Sequence, residues 1–131
     1  MENPKLNSAK IYFLAMAVFW FIFGIITTFF PALMNMFQTE DGINAVTSYS
    51  DHVWRHDGFD ILSISVLLFA LSREEASRNM VRAGAIVATL VTIAIASSLF
   101  TTPYWNLLFV VPGVTCFAFA VWGFMLASKA R

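Results

Sequence analysis

The sequence predicts an all-α integral membrane protein, a bundle of four transmembrane helices with both termini in the cytoplasm. Three observations predict it. Of 131 residues, 59% are hydrophobic and only 12% are charged, against about 25% charged in an average soluble domain. The apolar residues lie in long runs with most charges between them, the distribution expected when lipid is the solvent. The basic residues also sort to one side of a four-pass chain.

The first run, residues 11–37, follows Lys10 and meets no charge until Glu40. A secretory signal would have an apolar region of about 7 to 15 residues and a small-residue cleavage site, so this run is expected to stay as a helix. Pro31 is expected to bend its last turns or start an interfacial segment, because proline lacks the amide donor and crowds the preceding turn. The loop that follows, Gln38 to His52, has room for a turn or a surface helix.

The second span is placed at 53–71. Starting near Val53 gives about 19 residues, which at roughly 1.5 Å each nearly match a hydrocarbon slab of about 30 Å. The third span, 80–99, follows the polar link SREEASRN, and the fourth, 107–127, follows the break TTPYWN. Both links are too short for a further domain.

Charge sets the orientation. Lys5, Lys10, Arg73, Arg78, Arg82, Lys129 and Arg131 fall on one side and Arg55 on the other, so the positive-inside rule puts the termini and the middle link in the cytoplasm. The chain is accordingly expected in a bacterial inner, or plasma, membrane. The outer side holds Glu40, Asp41, Asp51, Asp57 and Asp60. Tyr49, Trp54, Tyr104 and Trp105 mark the outer boundary, where amphipathic rings anchor. Most of Phe13, Phe19, Phe21, Phe23, Phe29 and Phe30 are expected to face lipid.

Between helices in lipid, small residues matter because apolar contact gains little over contact with lipid. Gly84, Ala88, Thr92 and Ala96 recur every four residues on the third helix and form the expected packing stripe. It serves either the bundle interior or a homodimer contact.

The densest polar segment is Asp51 to Asp60. As a helix it places His52, His56 and Asp60 four residues apart on one face, with Ser63 three further on. Two imidazoles and a carboxylate suit a divalent metal, and a histidine beside a carboxylate suits proton transfer. The spacing lacks the glutamate of HExxH and a third histidine. The bland reading makes His52 and His56 interfacial helix-start residues, with Arg55 near a lipid phosphate or a carboxylate. Asp60 is the residue that asks for an internal polar site, because a carboxylate in hydrocarbon needs protein, water or a partner. The expected ligand set is His56, Asp60, Ser63, Thr28, Thr92 and Asn106, lining an outward pocket for a lipid or other small amphiphile.

Other chemistries lose their footing. Eight basic residues balance eight acidic ones and no basic stripe tracks phosphates, so nucleic acid is not an expected partner. The single cysteine, Cys116, excludes dithiol exchange within the chain. There is no phosphate-binding glycine loop and no GxSxG nucleophile, and the sequence names no cofactor and no catalytic set. In size and hydropathy the chain resembles small four-helix bacterial membrane proteins of the DoxX-like kind; the resemblance covers no specific motif and implies neither activity nor residues. The leading expectation is lipid or amphiphile binding, alone or as an accessory subunit of a larger membrane complex. The alternatives are a membrane enzyme or redox subunit using His52, His56 and Asp60, and a proton-coupled transporter built on Asp60.

Overall fold

The computed structural model describes residues 4–45 and 48–129. The side chains of Lys5, Tyr49 and Asp51, and all of Arg131, lie outside the described residues. The described chain is all-helical, with no strand. Three helices, Asn7–Phe29, Arg78–Thr101 and Leu107–Lys129, are long and apolar enough to cross a membrane.

The apolar run 11–37 is divided in two. Helix α1 covers Pro4–Phe29 and a 3-10 helix covers Pro31–Phe37. Phe30, at φ −130° and ψ 51°, makes the break, because the proline after it disfavours helical backbone at that position. A 3-10 helix repeats every three residues, and the sequence uses that period: Phe30, Leu33 and Met36 are exposed while Pro31 and Met34 are buried. The segment therefore has an apolar outer row and an anchored inner row.

A short helix, α2, covers Glu40–Asn44, with the Thr39 hydroxyl accepting from Gly42 N at 3.2 Å. Helix α3 covers Ser48–Leu71 and so starts before Val53, taking the whole polar segment into the helix. Helix α4 covers Arg78–Thr101, capped by the Ser77 hydroxyl, which accepts from Met80 N at 3.3 Å. A 3-10 turn at Leu107–Phe109 leads into α5, Val110–Lys129.

The long helices form two antiparallel pairs, α1 with α3 and α4 with α5. In the first pair, glycine permits close approach: a Cβ on Gly58 would strike the Thr28 side chain and backbone, and one on Gly24 would lie 2.9 Å from Leu62 Cγ. The Ser65 hydroxyl donates across the pair to the Ala17 carbonyl at 3.0 Å, in a buried position. In the second pair, a Cβ on Gly123 would come within 2.8 Å of Ala85 Cβ.

Aromatic rings join the pairs. Tyr12 meets Phe119 and Trp122 edge-on at 6.5 and 5.4 Å, Phe19 meets Phe119 at 5.7 Å, and Phe37 meets Phe109 at 6.1 Å. The phenylalanines of the first apolar run thus divide. Phe13 is 1% exposed and Phe19 and Phe23 are half-buried in the seam, whereas Phe21, Phe29 and Phe30 are exposed.

Candidate functional site

The first half of α3 presents two polar faces. On the face away from α1, His56 Nδ1 lies 3.6 Å from Asp60 Oδ2, with the side chains 73% and 70% exposed. Their spacing of four puts one helical turn between them. Ligand atoms of His56, Asp57 and Asp60 lie within 4.8 Å of one another. The triad expected from sequence, His52, His56 and Asp60, is therefore replaced in this grouping by one in which Asp57 stands in place of His52; His52 is exposed one turn earlier.

The other expected ligand residues are dispersed. Ser63 shares the exposed face, its hydroxyl donating to the Phe59 carbonyl at 2.9 Å. Thr28 is buried in the α1–α3 contact against Gly58, and its Oγ1 has no hydrogen-bond partner among the described residues. Thr92 donates to the Ala88 carbonyl at 2.8 Å and lines a groove between α4 and α5 with Ile95, Ala96 and Gly113. Asn106 is fully engaged elsewhere. Its Nδ2 donates to the carbonyls of Met36 and Gln38 at 2.8 and 2.9 Å, and its Oδ1 accepts from Leu108 N at 2.8 Å. The six residues thus occupy four places instead of one pocket: Ser63 and Thr92 are satisfied by the preceding turn of their own helices, Thr28 is taken up by the α1–α3 contact, and Asn106 holds backbone carbonyls.

The packing stripe also divides. A Cβ on Gly84 would lie 3.2 and 3.3 Å from the rings of Phe13 and Tyr12, and Ala88 is buried in the core. Thr92 and Ala96 line the α4–α5 groove. The first half of the stripe is used within one chain.

The second face of α3 carries Arg55, expected near a lipid phosphate or a carboxylate; its bond to the end of α1 and the groove beside it were not expected from the sequence. Arg55 Nη1 donates to the Thr28 carbonyl at 3.1 Å, one of the last carbonyls of α1, which have no partner within the helix. Beside this contact, Arg55, Trp54, Phe29, Phe30, Pro31, Leu33 and Asn35 line a groove of about 480 Å³. Its walls are apolar, and its polar groups are a guanidinium, an amide and an indole. The sequence signal was available: Arg55 is the one basic residue on the acidic side, next to a tryptophan, and Pro31 ends the neighbouring helix.

Trp54 also touches Trp105 edge-on at 5.7 Å, and Trp105 stacks on Phe109 at 4.1 Å. These rings fix the groove's edge to the second helix pair. No protein family, curated protein or solved structure matches this chain, so its functional reading rests on its own residues.

Proposed function

We propose that the chain is a four-pass protein of a bacterial inner membrane, with both termini cytoplasmic, that binds an amphiphile with an anionic headgroup at its outer end. The observation that carries this reading is the groove at the end of α1, where Phe29, Phe30 and Leu33 offer an apolar wall beside the guanidinium of Arg55. Such a groove takes an acyl chain along its wall and a phosphate at its polar edge. Arginine's planar fork of donors matches phosphate oxygens, and its charge attracts them to the edge of the groove. Trp54 and Asn35, whose side chains carry N–H donors, line the same groove.

The site expected around His56 and Asp60 thus shifts by one face of α3 toward Arg55. A second reading is favoured by the close grouping of His56, Asp57 and Asp60: a divalent cation held at the outer surface, as a membrane enzyme or redox subunit would require. The two readings separate in one experiment. The wild type, Arg55→Gln and Asp60→Ala are extracted gently, supplied with phosphatidylglycerol in mixed micelles, and examined by native mass spectrometry with metal analysis. The proposal expects bound lipid in the wild type and Asp60→Ala and its loss in Arg55→Gln. Equal lipid retention in all three overturns it, and zinc lost only in Asp60→Ala moves the function to the carboxylate face.

A further inference from the structure

The face of α3 opposite α1 carries a pattern that neither the groove nor the intramolecular packing uses. Gly58 and Ser65, seven residues apart, face α1 through Thr28 and Ala17. On the other side Val53, His56, Asp60, Ser63, Leu67 and Ala70 are all exposed. Their spacing alternates three and four, the repeat with which one helix packs along another in a left-handed pair. We infer that this stripe is the contact surface for a second copy of the same chain.

Depth makes the face one that needs covering. Gly58 lies against Thr28 and Leu62 against Gly24, so Asp60 stands level with the stretch of α1 between those residues. That stretch lies inside the apolar span Asn7–Phe29. A carboxylate pointing outward at that depth is unfavourable against lipid tails and calls for a polar partner.

Composition points to a second copy. The stripe carries its own base and its own acid in adjacent layers, His56 and Asp60, 3.6 Å apart in one chain. Copies in one membrane share an orientation, so a two-fold axis along the membrane normal sets their α3 helices parallel and brings like layers together. Asp60 of one copy then faces Asp60 of the other, and the two His56 imidazoles one turn away lie within reach of both carboxylates and offset their repulsion. Polar layers such as these, between the apolar positions Val53, Leu67 and Ala70, set register and oligomeric state. Further in, Ser63 and Ala70 flank Leu67, leaving room for close backbone approach. Arg55 and Trp54 line the groove and lie off this stripe, so loss of lipid binding would leave the inference standing.

The test is cysteine cross-linking of the full chain in native membranes. Ser63→Cys, Leu67→Cys and Leu90→Cys are oxidised separately; Leu90 is exposed on α4, and the native Cys116 is buried. The expected result is a disulfide dimer at 63 and at 67 and none at 90. Energy transfer between copies labelled at the C-terminus is read in parallel, with loss expected in Asp60→Leu and in Ser63→Trp. Absence of dimer at both seam positions, equal dimer at all three, or a cross-linked product whose mass is not twice that of the chain overturns the inference.

Discussion

Tyr12 holds the two helix pairs together from one position. Its ring is fully buried, edge-on to Phe13 at 5.2 Å and to Trp122 at 5.4 Å. Its hydroxyl reaches the space that Cβ atoms on Gly84 and Gly123 would fill, at 3.3 and 2.6 Å. The two glycines are what admit a phenol between α4 and α5. The hydroxyl itself has no hydrogen-bond partner among the described residues, and a buried polar group left without one carries a penalty of roughly 1–3 kcal/mol. Tyr12→Phe is therefore expected to raise stability by about 1 kcal/mol in denaturant-detergent titration, while Gly123→Ala, which places a methyl against Ala85, lowers it. A loss of stability in Tyr12→Phe would mean that the hydroxyl bonds to a group beyond those described. Gly84 was legible in the sequence as a small residue for close packing. Its partner was not, because nothing in the α1 pattern distinguishes the ring that turns inward from the exposed phenylalanines around it.

At the scale of elements, the end of the bundle that carries Pro31 and Asn106 is closed by a clamp between the two helix pairs. Thr39 N donates to the Tyr104 carbonyl and Asn106 N to the Phe37 carbonyl, both at 2.9 Å, and the Thr39 hydroxyl donates to the Pro103 carbonyl at 2.7 Å. Asn106 completes the clamp with two side-chain donors directed at carbonyls of the Pro31 segment. Gly42 is needed here because a Cβ would strike the Tyr104 carbonyl. Asn106→Ala is expected to destabilise by roughly 1–3 kcal/mol. Asn106→Asp should be worse, since an acceptor-only carboxylate then faces two carbonyls. The readout is faster proteolysis after Glu40 or Asp41 from the outer side; cleavage unchanged in both variants would show that the clamp does not hold the loop. The breaks at Pro31 and after Thr101 were legible, because proline punctuates the chain in each place. The pairing of residues 37–39 with residues 104–106 was not, since backbone bonds between distant loops leave no periodic trace. For the same reason Asn106 read as a ligand residue, although its side chain is occupied by the backbone.

For the whole molecule, the proposed fourth crossing rests on how α3 is held. By composition α3 lacks the uniform apolar character of the other long helices, because Asp57, Asp60, His56 and Arg55 crowd its first half. By packing it has little choice. It runs antiparallel to α1 over its length, with Gly58 against Thr28 at one end and Ser65 bonded to Ala17 further along, so a membrane enclosing α1 also encloses α3 beyond Asp60. Leu71 then lies toward the start of α1, and Arg73, Arg78 and Arg82 gather on the side of Lys10 and Lys129. Charge and packing both support the proposed four-pass reading, whereas no periodic signal in the sequence places the expected ligand residues in one pocket. The expected outcome is an even count of crossings: a reporter fused after Lys129 and one inserted near Glu75 are both active in the cytoplasm, and a tag at Ile43 is labelled from outside. If α3 lay on the membrane surface instead, three helices would cross, and the two ends of the chain would report from opposite sides.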